Sequence, residues 1–233
     1  MLKGRKTDNF SMRVYLETIE GIVGQHGLKS VLNYAHLQKY IGNFPPLNDR
    51  TDIPLEDLQM LCRSLLELFG RRGIRNLQLR IGREIVKKSF EKYSRVTRLL
   101  LRLRFLSPEQ SRLKHALILL IRVVKKRYPS EGGTSQPQLK LDEEEDCFLI
   151  TFRDNWESED VLSPSPVCHV TIGAIAALAE WATGHVYDVR EIECRAMGYP
   201  VDVFRISRAY EKEVVKGSYD SSKDRLRPFL IRF

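Results

Sequence analysis

Apolar residues recur at helical spacing from Ser11 onward. Tyr15, Ile19, Ile22 and Val23 share one face until Gly24 and Gly27 interrupt it. Leu28, Val31, Leu32, Ala35 and Tyr40 continue as a second amphipathic helix, which stops before Asn43-Phe44-Pro45-Pro46. Residues 52–69 predict a third helix, with Pro54 near its first turn, Glu56 and Asp57 at the positive end of the dipole, and Gly70 as its stop. Its stripe is Leu58, Leu61, Cys62, Leu65 and Leu68. A long basic helix is predicted over residues 79–105, with Ile81, Ile85, Tyr93, Val96, Leu100 and Leu103 facing inward. Ser107-Pro108-Glu109-Gln110 has the form of a capping box. The helix it opens carries Leu113, Leu117, Leu120, Ile121 and Val124 on one face.

The period changes after residues 129–137, a loop rich in Gly, Ser, Pro and Thr. Residues 138–142 and 147–152 read as a hairpin about an acidic turn. A polar loop, 153–166, leads to a small-residue helix over 168–183. That helix ends at Gly184 and is expected to lie close against a sheet through Gly173. Residues 186–194 and 201–206 predict two more strands, with Gly198 in their connection. Helices, hairpin, helix, hairpin is an α+β order: N-terminal amphipathic helices packed on a C-terminal antiparallel sheet. The expected organisation is a polar tail at 1–10, one domain over 11–210 (helical part 11–128, hairpin–helix–hairpin part 138–207) and a charged tail at 211–233.

Composition narrows the class. At 233 residues with 42% apolar content the chain can bury a core unaided. The longest apolar runs, 116–121 and 174–179, fall far short of a membrane span. No apolar stretch follows the basic start, so a cytoplasmic protein with its four scattered cysteines reduced is expected. The net charge is +8, but residues 71–127 hold 18 Lys and Arg against 3 Asp and Glu, leaving the remainder acidic. Lys88, Lys92 and Arg95 are the candidate docking residues of that cationic stretch, for a protein partner or an anionic surface. No nucleic-acid-binding signature accompanies them.

Enzymatic motifs are missing from the sequence: no dinucleotide fingerprint, P-loop, His-Glu-x-x-His or Gly-x-Ser-x-Gly. His169 follows Cys168, but consecutive helical residues diverge by about 100°, so a thiol–imidazole pair is not expected. No catalytic residue is assigned, and a non-enzymatic protein is expected.

The densest pattern is Cys168–Ile206, in which a cysteine opens the small-residue helix, Arg190-Glu191-x-x-Cys194 follows in a strand, and Gly198 precedes Phe204-x-Ile206. By spacing alone Cys168 and Cys194 fit small buried hydrophobes or metal ligands equally. The stretch resembles the 4-vinyl reductase domain family, a small-molecule-binding module similar in fold to ligand-holding subunits of the TRAPP tethering complex. The resemblance implies an enclosed apolar cavity and frequent homodimers. From the family's aromatic-sensing transcription activators it also implies a zinc ion, whose ligands carry over to Cys168, Glu191 and Cys194, with Asp202 where those sensors have a cysteine. A carboxylate there is a harder, less selective donor than a thiolate. Glu191 and Cys194 point to opposite faces of a regular strand, so such a site requires a bulge. Trp156 and Trp181 are the candidate pocket-lining residues. The function implied is binding or sensing of a hydrophobic or aromatic small molecule. The alternatives are a carrier in tetrapyrrole or chlorophyll metabolism and a scaffold or tethering subunit.

Overall fold

The computed structural model describes residues 4–93, 108–127 and 139–210. Four helices and six strands are described, in the order β1 (Lys6–Thr7), α1 (Asn9–Tyr34), β2 (Ile53–Pro54), α2 (Leu55–Lys92), α3 (Glu109–Arg127), β3 (Leu139–Glu143), β4 (Cys147–Phe152), α4 (His169–Thr183), β5 (Tyr187–Glu193) and β6 (Asp202–Tyr210). The fold is mixed α+β, with the helices preceding the sheet, as the patterning predicts.

The expected frayed start is corrected from residue 6 onward. β1 pairs antiparallel with β2, Thr7 opposite Ile53, and Thr7 through Phe10 are buried. The cause is a helix cap two residues upstream of the predicted start. Asp8 Oδ1 accepts the Ser11 N–H at 2.7 Å, so α1 opens at Asn9.

Both long helices are broken by a glycine. Gly24 (φ 75, ψ 169) and Gly70 (φ 67, ψ 171) hold left-handed φ values that bar a straight helix. Past Gly70 a second helical arm begins at once, not at residue 79. Leu58, Leu61 and Leu65 are buried as expected, whereas Ile22, Leu68 and Tyr93 are exposed. Gln110 does not serve as a box residue. Its Nε2–H₂ donates to the Arg208 carbonyl at 2.6 Å, tying α3 to β6.

The sheet runs β3-β4-β6-β5, all antiparallel, so β6 is internal and pairs on both sides. Its apolar residues Phe148, Ile150, Phe204 and Ile206 pack with Leu113 and Leu117 of α3 and Ile175 and Ala179 of α4. A second core joins α1 to α2 and takes in Trp156 and Val170. Between the two cores, α2 and α4 cross with their backbones in contact. A Cβ on Gly173 would lie 2.2 Å from the Leu79 carbonyl oxygen, and one on Gly82 would lie 2.1 Å from that of Val170. The small residues of α4 therefore admit a helix, a correction to the sheet contact expected for Gly173.

Candidate metal centre

The start of α4 supplies amides that need acceptors, because its first N–H groups have no carbonyl one turn back. Acidic residues from two other segments provide them. Glu157, in the loop after β4, accepts the Val170 N–H at 2.8 Å, the Thr171 N–H at 3.0 Å and the Thr171 hydroxyl at 2.6 Å. Glu191 of β5 accepts the Cys168 N–H through Oε2 at 2.9 Å. Negative charge at a helix N-terminus is favoured by the dipole.

The sheet brings the remaining groups to the same point. β5 loses register with β6 between Glu191 and Glu193, so the chain is bent where a regular strand would separate Glu191 from Cys194. Cys194 ends this irregularity, a short 3₁₀ turn (Arg195–Met197) follows, and Gly198 at φ 96 closes it. Asp202 opens β6 opposite. The sulfurs of Cys168 and Cys194 and a carboxylate oxygen from each of Glu191 and Asp202 lie within 4.8 Å of one another, and all four residues are buried.

This cluster is short of positive charge. Burial pushes the Cys168 thiol far up and the Glu191 carboxyl up to about 8, and it raises Asp202. The Cys194 thiol moves the other way, first because Cys168 hydrogen-bonds to it. Glu157 nearby is likewise raised by burial, to about 8. The adjacent cation, Arg195, directs its guanidinium to Glu159 at 2.6 Å and offers Asp202 only its backbone N–H, at 2.7 Å. Ser158 donates to the other Asp202 oxygen at 2.6 Å. Glu191 Oε1 is buried without a hydrogen-bond partner. Glu157 and Ser158 went unrecognised in the sequence, where Glu-Ser-Glu-Asp reads as a solvated loop. No spacing marks them.

The other candidates are placed differently. Trp156 packs edge-on against Tyr15, ring centroids 6.1 Å apart, and Trp181 stacks on Phe90 at 4.0 Å. Each ring is spent on the protein's own aromatics. The expected C-terminal hollow is corrected as well: Phe148, Phe152, Ile175 and Phe204 fill it. The largest groove described, about 650 Å³, lies instead along α1 over Leu28, Leu32, Ile41 and Phe44. Lys88 pairs with Glu17, and Lys92 pairs with Asp49 at 2.7 Å and sits over the Phe10 ring, so neither offers a free docking charge. Arg95 lies outside the described residues. His169 Nδ1 is buried without a partner, and Cys168 has no imidazole base. A second acidic grouping, Glu144, Asp146 and Cys147, is already occupied, with Asp146 bound by Arg205 at 2.6 Å.

A buried Cys-Glu-Cys set joined to a small-residue helix and two strands narrows the comparison. Residues 150–208 match the 4-vinyl reductase domain. The matched segment thus holds all four clustered residues, together with Glu157 and Ser158. No curated protein sequence matches the chain. Among solved structures, the Fe(II) unliganded H-NOX protein from K. algicida is 10% identical, with a TM-score of 0.58 over 90% of this chain and 100% of that one. An H-NOX structure concerned with heme distortion is 15% identical, with a TM-score of 0.57 over 90% and 100%. The phenol-responsive sensory domain of the transcription activator PoxR, with phenol, is 18% identical, with a TM-score of 0.45 over 66% and 73%. At these identities the H-NOX likeness establishes a shared fold. No described helix is long and apolar enough to cross a membrane.

Proposed function

We propose that this chain, with its 4-vinyl reductase domain, is a non-enzymatic small-molecule-binding module in which Cys168, Glu191, Cys194 and Asp202 hold a structural zinc ion. One observation carries the metal assignment: four buried donors converge within 4.8 Å, with one carboxylate oxygen left unpartnered. Buried anions without a counter-charge cost several kcal/mol each, and a divalent cation relieves that cost where a proton would otherwise be retained. Two sulfurs and two carboxylate oxygens are a donor set that zinc accepts. The Ser158 hydroxyl and Arg195 N–H orient Asp202 from behind, the support that ligating carboxylates need. Bound there, the ion would pin the start of α4 to the bent end of β5 and the start of β6.

The groove along α1 supports the binding role. Its volume of about 650 Å³ falls within the range of small-molecule sites, roughly 300–1,000 Å³, and its floor is apolar with a polar rim. A hydrophobic or aromatic guest bearing one polar group suits that lining. Heme belongs to the H-NOX structures; the core between α3, α4 and the sheet is filled here by Phe148 and Phe204, so no tetrapyrrole is assigned. Reduced thiols, as a cytoplasmic protein would keep them, are a condition of the site.

Native mass spectrometry and elemental analysis of the purified chain test both parts. One zinc per chain is expected, lost in Cys194→Ser with a melting temperature several degrees lower. A chain without stoichiometric metal refutes the metal centre. Thermal-shift measurements with phenols and fatty acyl compounds are expected to show stabilisation. No shift with either class refutes the ligand-binding role.

A further inference from the structure

Residues 66–73 are all exposed although they lie within the span of α2, so this stretch stands off the body on every side. Leu66, Leu68 and Phe69 end the first arm, 37%, 46% and 45% exposed, and the Gly70 break follows them. Arg71, Arg72 and Arg75 then occupy the first turns of the second arm, all exposed. A helix start is the positive end of the dipole, where Asp and Glu belong; three arginines there raise an already positive potential. Arg63 and Arg80 extend the basic surface, and no carboxylate pairs with any of the five among the described residues. The one acid in residues 63–80, Glu67, accepts the Tyr34 hydroxyl at 2.8 Å.

We infer that this protruding elbow of α2 docks on an anionic lipid surface, with Leu66, Leu68 and Phe69 entering the headgroup region and the arginines held against the lipid phosphates. Charge decides the occupant. A second copy meeting the same patch across a two-fold axis would set arginine against arginine. A negatively charged surface matches all five at once. The apolar trio decides between anions: a nucleic acid gains nothing from an exposed Leu-x-Leu-Phe run, whereas an interfacial elbow gains from burying it. Lys88 and Lys92 take no part, being committed to Glu17 and Asp49.

Flotation of the full chain with phosphatidylcholine vesicles, with and without phosphatidylglycerol, tests this. Binding is expected only to the anionic vesicles and is expected to fall with salt. Each arginine neutralised lowers the partition coefficient about fivefold, so Arg71→Gln, Arg72→Gln and Arg75→Gln together lower it about a hundredfold. Phe69→Ser is expected to lower it severalfold at constant charge, and Phe69→Trp to give blue-shifted emission on binding. The substituted side chains are exposed, so circular dichroism and melting temperature are expected to stay unchanged, which separates loss of docking from loss of fold. Failure of the wild-type chain to float with anionic vesicles at low salt overturns the inference. So does retained binding in Phe69→Ser combined with full displacement by duplex DNA, which would make the elbow a polyanion site without lipid insertion.

Discussion

Replacing Gly173 by alanine adds one methyl group where α2 and α4 touch backbone to backbone. The new Cβ would sit 2.2 Å from the Leu79 carbonyl oxygen and 3.0 Å from the Leu79 Cα. Carbon and oxygen in ordinary contact are about 3.2 Å apart, so the helices must separate by about 1 Å. No side chain can swing aside, because every near atom belongs to the backbone of α2. Overpacking of this kind costs about 1–3 kcal/mol, and alanine returns about 0.5–1 kcal/mol of helix propensity. A net loss of about 2 kcal/mol lowers the melting temperature of a chain this size by about 4–8 °C. The assay is thermal and urea unfolding followed by circular dichroism, with Gly21→Ala as control. Gly21 is an exposed helical position with nothing within 4 Å of an added Cβ, so that variant is expected to match or exceed the wild type. Gly82→Ala meets the Val170 carbonyl at 2.1 Å and is expected to behave like Gly173→Ala. The pair together should cost less than the sum, since either methyl already opens the crossing. A Gly173→Ala chain as stable as the wild type would refute the backbone contact.

Asp202→Cys would restore a third thiolate to the cluster, and zinc release to a competing chelator, followed by absorbance, is expected to slow. Glu157→Ala removes the acceptor of two α4 amides and a hydroxyl, and is expected to cost about 2 kcal/mol or more in urea unfolding. Burial works to raise the pKa of Glu17, but Lys88 and Arg13 outweigh it and hold the carboxyl below its usual 4.5. Its stabilisation is therefore full above about pH 4.5 and is lost as the pH falls through the lower folded value. Glu17→Gln is expected to flatten that part of the acid limb in pH-dependent melting. Trp181 stacks on Phe90, so Phe90→Leu is expected to change the emission of Trp181 while Trp156, against Tyr15, reports unchanged.

The C-terminal half was legible in the sequence because its signals are local. Alternation marks β3 and β4, Gly184 at φ 86 ends α4, and the three-residue spacing of Glu191 and Cys194 implies the bend that the register shift supplies. The N-terminal helices were legible as helices, and Gly24 and Gly70 as their interruptions. What could not be read depends on partners far along the chain. Lys88 meets Glu17 across 71 positions and Lys92 meets Asp49 across 43, so a helical face that looks solvated is in fact neutralised. An apolar stripe cannot say whether a neighbour reaches it, which is why Leu68 and Tyr93 were expected inside and stand outside. Gly173 was legible as a point of close approach, but its partner was not, since a Cβ-free surface serves a helix as well as a sheet. Cavity position is the least local property of all: Trp156 and Trp181 could be named as aromatic walls, but whether they wall a void depends on the packing of every neighbour.

The placement of β6 has a mechanical outcome. Whatever chain follows Tyr210 is anchored to a strand laddered on both flanks, while Asp202 sits at that strand's other extremity. Tension or a tag applied downstream loads two rows of bonds in shear rather than peeling an outer ribbon. Deuterium uptake should accordingly be slowest along residues 203–206, and a C-terminal label should leave the melting curve where it was.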